Sequence, residues 1–153
     1  MAEANKACYA KTMKYARLNE NTSALRLELG EDVHTTIQDF CADQGIDNAQ
    51  VQGIGSVESP SLAHYSIKTK AFTDEKLAGV FEVTSLTGNI ALVDSKPFAH
   101  LHVTVSDEHM MTRGGHLVKG ECSATLELMI TSYPAHNTKS QNDQIGLKVW
   151  DFQ

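Results

Sequence analysis

The sequence predicts an α+β fold: a mainly antiparallel twisted sheet, or a partly closed barrel, carrying one main helix. Three observations point there. Segments that alternate apolar and polar residues recur at intervals of roughly 8–12 residues, the spacing of strands in a sandwich or barrel. A single stretch, in the first third, places its apolar residues at helical spacing. The chain has 153 residues, 41% hydrophobic and 21% charged, which suits one domain with a core of ordinary size. No repeat, low-complexity tract or Pro/Gly-rich linker divides it, so residues 1–153 are read as one domain. Within it, 1–14 is a lead-in segment and 133–144 a polar loop before a last strand.

The elements follow in order. Residues 9–19 are a first strand on slender grounds. In 23–29, Leu25, Leu27 and Leu29 face one way and Arg26 and Glu28 the other, which is a half-buried strand. Gly30 ends it. Asp32 is placed to cap a helix whose Val33, Ile37, Phe40 and Cys41 form one apolar stripe, and Gly45 is its natural stop. Strands are then expected at 49–54 and 61–69, followed by a polar loop around Asp74-Glu75-Lys76. Two more are expected at 80–86 and 89–93. Asp94-Ser95-Lys96-Pro97 has turn composition. The longest strand signals are 98–106 and 121–131, and 145–152 closes the fold.

Thirteen basic residues against nineteen acidic ones leave a net charge of −6, which opposes broad binding to nucleic acid or anionic membranes. Cys8, Cys41 and Cys122 are far apart and form no Cys-x-x-Cys pair, so a disulfide framework or cysteine zinc site is not expected. Residues 1–17 lack the apolar stretch of a secretory signal, and no apolar run approaches the roughly 20 residues of a membrane span. The expectation is a cytoplasmic protein.

Chemistry concentrates in the histidines. In 98–106, Ala99, Leu101, Val103 and Val105 form a core face, so His100 and His102 share the opposite face. Residues 106–113 are polar enough to be a hairpin loop. Folding back there returns Gly114-Gly115-His116-Leu117 beside Leu101-His102-Val103, with glycines that permit close backbone approach. Two strand histidines plus one from a neighbour suit a three-histidine zinc site, which leaves a fourth position for water or substrate. The alternative is that the three only hydrogen-bond across a polar sheet face. His34, His109 and His136 are read as solvated, and His64 is unassigned.

Glu82 and Glu127 are carboxylates within otherwise apolar strands. Glu82 is a candidate general base or a partner that orients a histidine. The alternative for both is an exposed or ion-paired side chain. Gly53-Ile54-Gly55-Ser56 lacks the third glycine and the following helix of a dinucleotide-binding turn, and reads as a tight bend. Cys41 and Cys122 read as core residues.

Five motifs occur in order: Leu29-Gly30-Glu31-Asp32-Val33, Gly53-Ile54-Gly55-Ser56-Val57, Phe81-Glu82-Val83-Thr84-Ser85-Leu86-Thr87-Gly88-Asn89, His100-Leu101-His102-Val103 and Gly114-Gly115-His116-Leu117. Together, over roughly residues 15–132, the chain resembles the plants-and-prokaryotes conserved domain (PPC or PCC) in its stand-alone prokaryotic form. The resemblance implies an antiparallel α+β domain assembled as a homotrimer, with zinc held at the positions of His100, His102 and His116 and Glu82 near a cleft between subunits. It implies a metal-binding protein acting on a small molecule through an unspecified reaction. A non-catalytic DNA-associated or regulatory module is the alternative, since plant relatives join this domain to AT-hooks. No Arg-Gly-Arg-Pro core of that kind surrounds Arg17, Arg26 or Arg113, so direct nucleic-acid binding is not expected here.

Overall fold

A computed structural model of the chain describes residues 13–152. Among these, nine strands and one helix follow in order: β1 (Lys14–Arg17), β2 (Thr22–Leu27), α1 (Val33–Gln44), β3 (Ala49–Ser66), β4 (Ala71–Lys76), β5 (Val80–Val93), β6 (Lys96–Ser106), β7 (Thr112–Ser132), β8 (Thr138–Asn142) and β9 (Leu147–Asp151). All join one sheet. The expected α+β, mainly antiparallel fold is borne out: each strand pair is antiparallel except a one-residue parallel contact, Leu92 to Thr138. The part of the first-strand expectation that falls on residues 9–12 lies outside the described residues.

The sheet partly closes on itself. β3 pairs with both β5 and β7, and β6 pairs with the same two strands, so β3, β5, β6 and β7 form a ring of hydrogen-bonded neighbours. Inside lie Val51 and Val57 of β3, Leu86 and Ile90 of β5, Leu101 and Val105 of β6, and Leu117, Leu126 and Ile130 of β7, each at most 1% exposed. The helix closes one side, packing on β6 and β7. Its buried stripe is Val33, Ile37, Phe40 and Cys41. Asp32 accepts a hydrogen bond from the Thr35 amide at 2.8 Å. Gly45 ends the helix in the left-handed conformation at φ 65°.

Five local expectations need correction. Residues 49–54 and 61–69 belong to one long strand, β3, which absorbs its irregular middle as bulges with register shifts at Gly53/Gly55, Gly55/Val57 and Glu58/Ser61. The Gly53–Gly55 bend is thus a bulge within a strand. It needs glycine at Gly55, whose φ is +149° and whose added Cβ would stand 2.2 Å from the Thr125 carbonyl oxygen. Residues 80–86 and 89–93 likewise merge into β5, because nothing in Thr87-Gly88 stops the ladder with β6. The polar stretch at Asp74-Glu75-Lys76 lies in β4, whose six residues are all exposed and so carry no apolar alternation. The expected loop 133–144 contains β8, which pairs with β9. Asp94 and Ser95, both with positive φ (50° and 62°), make the tight β5–β6 turn.

Candidate metal centre

β6 turns His100 and His102 outward, because Ala99, Leu101 and Val103 between and beside them are at most 4% exposed and fill the core. The strand is held on both sides. Gly88 of β5 lies opposite Leu101, and Asn89 opposite His100. From the helix, Gln38 Oε1 accepts the Ala99 amide at 3.0 Å. β7 returns with His116 opposite His102 and Gly115 opposite Val103, the register expected from the sequence. Gly115 lets β3 pass closely, since a Cβ there would meet the Ala63 carbonyl oxygen at 2.9 Å.

The three rings form a near-equilateral triangle. Ring centroids are 5.2 Å apart for His100–His102, 5.2 Å for His100–His116 and 5.5 Å for His102–His116. One nitrogen from each lies within 4.8 Å of the other two. Around a tetrahedral ion with nitrogen ligands at about 2.0–2.1 Å, donor atoms stand roughly 3.3 Å apart. Modest side-chain rotation therefore closes the triangle, and the residues fit an ion. Three imidazoles without thiolate or carboxylate suit a late first-row divalent metal.

Electrostatics favour the neutral, ligating form. Burial first, then Lys139 and the neighbouring histidines His116, His102 and His34, push His100 down to about 4 from an ordinary 6.5. His116 is lowered mainly by burial, with His102 and His34 adding to it. Neutral imidazoles keep a lone pair for metal at neutral pH. Because the unfolded chain protonates near 6.5 and folded His100 only near 4, the stability linked to this group is complete above the upper value. It is lost as pH falls through that window. Thermal melting of chelator-treated protein is expected to show Tm falling with acidification there, with a shallower fall in His100→Gln. An identical slope in the variant would remove His100 as the cause.

The surrounding cleft, about 640 Å³, was only partly legible in the sequence. His64, unassigned from sequence, lines it. Phe72 of the unforeseen β4 sets its ring 5.3 Å from that of His116, and Tyr65 packs on Phe72 at 4.8 Å. Lys139 of β8 donates to Asn89 Oδ1 at 2.7 Å and lies 3.5 Å from His100 Nδ1. A lysine in a polar segment gives no sequence signal for such a position.

His34 also departs from expectation. Rather than being solvated, it is partly buried and leaves Nδ1 buried without a partner. It shares a helix face with Gln38, one turn on, and that face looks onto β6 and β7. His109 and His136 are exposed as expected, and His136 lies 2.6 Å from Asp47. Glu82 is exposed and pairs with Ser106, whereas Thr87 is the residue opposite His102. The offset from 87 to 82 is roughly 17 Å of strand, so within one chain Glu82 stands away from the triangle. Glu127 faces Arg26 across the β2–β7 pair. Cys41 and Cys122 are free and buried, and burial raises their thiols to about 12 and about 11.

Fold and site together define a partly closed antiparallel sheet that presents a three-histidine group, of metal-ligand geometry, in a cleft. The chain belongs to the Plants and Prokaryotes Conserved (PCC) domain family, whose sequence model matches residues 16–134. Solved structures agree. A "putative DNA-binding protein" from Bacteroides thetaiotaomicron is 26% identical with a TM-score of 0.87, covering 92% of this chain and 97% of its own. A plant- and prokaryote-conserved protein from Pyrococcus horikoshii is 29% identical with a TM-score of 0.81, covering 94% and 97%. A metal-containing protein from Archaeoglobus fulgidus is 29% identical with a TM-score of 0.81, covering 94% and 100%. No curated protein matches the chain. Among the described residues, no helix is long and apolar enough to cross a membrane.

Proposed function

We propose that this chain is a zinc-binding protein, assembled as a homotrimer in the cytoplasm, whose site opens on a cleft for a small molecule. The observation that carries the reading is the triangle of His100, His102 and His116, with donor atoms within 4.8 Å of one another. The similarity to a metal-containing archaeal protein supports it. Zinc held by three imidazoles supplies a Lewis acid with an open position and draws the pKa of bound water towards about 7. This chain's own contribution is to hold three imidazoles on the paired strands β6 and β7 and to wall the cleft with Phe72 and Tyr65.

The trimer reading draws support from a second, apolar groove of about 1000 Å³, flanked by Tyr15, Ile54 and Met129, which are exposed in the single chain. An acid–base role for Glu82 requires a neighbouring subunit to bring it to the histidines. The free, buried Cys41 and Cys122 are in keeping with a reducing compartment. A net charge of −6 per chain sets the protein against direct contact with phosphate backbones, so a DNA association would run through a partner.

The test is metal content by plasma mass spectrometry together with native mass on untagged protein. About one zinc per chain and a mass of three times 16.7 kDa are the expected results. No metal after zinc reconstitution at neutral pH would make the histidines structural, and a monomer would overturn the assembly.

A further inference from the structure

We propose that the cleft beside the three histidines binds a small carboxylate with an apolar or aromatic body, and that Lys139 receives the carboxylate. This deepens the reading of the same site and rests on it for the ion beneath the ligand.

Lys139 is the anomaly that leads there. It is only 8% exposed, yet it lines the cleft. Its Nζ has neutral neighbours: Asn89 Oδ1 at 2.7 Å, His100 Nδ1 at 3.5 Å and the Trp150 ring, with its centroid at 5.3 Å. Among the described residues no carboxylate pairs with it. A buried ammonium without a counter-charge is unfavourable, and it persists where something else supplies the charge. An ammonium has three donors; Asn89 takes one and His100 Nδ1 at most a second, which leaves a donor for an incoming oxygen.

The rest of the cleft agrees. Among the described residues no aspartate or glutamate lines it, while Lys148 joins Lys139 there. A wall free of carboxylates beside two lysines and a divalent ion attracts anions, although the molecule as a whole is acidic. The remaining walls include Tyr65, Phe72, Phe98 and Leu147, which suit an apolar body rather than a bare inorganic anion. A volume of about 640 Å³ fits a small organic molecule. The carboxylate would lie at Lys139 and a second donor atom of the ligand towards the ion position.

The test is isothermal titration of zinc-reconstituted protein with phenylglyoxylate and with its methyl ester, which keeps the ring and the ketone but removes the charge. The wild type is expected to bind the acid about tenfold or more tightly than the ester, the effect of one charge-assisted contact. Lys139→Met is expected to bring the acid down to the ester's level with zinc content unchanged, and Lys139→Arg to restore part of the preference. Equal affinity for acid and ester in the wild type, or no binding of either up to about 10 mM, overturns the proposal. So does an undiminished preference in Lys139→Met, since the ion alone would then account for it. The wild-type comparison needs no variant to fold. Zinc content is read separately: an acid preference without zinc would leave this proposal standing and fell the metal reading. Full zinc without a preference would do the reverse.

Discussion

His102→Ala is expected to lose the zinc proposed for this site while the metal-free protein melts almost as the wild type does. The side chain is exposed, on the outward face of β6, and the core beneath it is made by Leu101 and Val103. Exposed substitutions away from caps and special backbone shift stability by about 0.5 kcal/mol or less. The metal loses one of three ligands, so its affinity is expected to fall by more than the roughly 10–100-fold that loss of an outer-shell partner brings. Competition with a zinc-sensitive chelator dye reads the affinity. Adding zinc is expected to raise Tm in the wild type and to leave the variant unmoved, because only a ligand that binds the folded state stabilises it. A variant that still holds one zinc per chain would remove His102 from the site.

Gly88→Ala is expected to damage both fold and site. Gly88 lies opposite Leu101, between the two outward histidines. An added Cβ would stand 2.2 Å from the His100 carbonyl oxygen and 2.7 Å from Leu101 Cδ2. The oxygen belongs to a strand backbone and the leucine is fully buried, so neither can move aside without parting β5 from β6. Overpacking of this kind is expected to destabilise by about 3 kcal/mol or more, read by urea unfolding. Zinc affinity is expected to fall with it, because the displaced strand carries His100. Gly114→Ala serves as the comparison: its nearest contacts would be 3.2 Å and 3.3 Å, one of them a threonine hydroxyl, and a smaller loss is expected. Wild-type stability in Gly88→Ala would show that β5 and β6 are less tightly opposed than the structure has them.

These two substitutions sit at the boundary of what the sequence could reveal. The exposure of His102 follows from alternation along residues 98–106, and the return of His116 from a polar hairpin and two glycines. The demand for glycine at position 88 does not, because it depends on how closely a partner strand approaches. The family resemblance, carried by short motifs, was legible for the same reason as the helix: each motif is contiguous. The merging of β3 and of β5 was missed because bulges and an uninterrupted ladder override residues that look like breaks. β4 was missed because its residues, all exposed, carry no apolar period. His34 was misplaced because a polar residue beside an apolar stripe reads as solvent-facing until the strands packed on the helix are known.

The sequence by itself determined the α+β class, the helix with its Asp32 and Gly45 ends, the shared face of His100 and His102, and the acidic balance. Those are properties of local period and composition, and the backbone imposes them wherever the segment lies. The tertiary structure alone decided that four strands close into a ring and that Phe72 walls the triangle. It alone put Lys139 beside His100 through an asparagine fifty residues away in the chain. Such placements arise from pairing between distant segments, whose side chains meet only after the sheet has formed, and no local pattern encodes them.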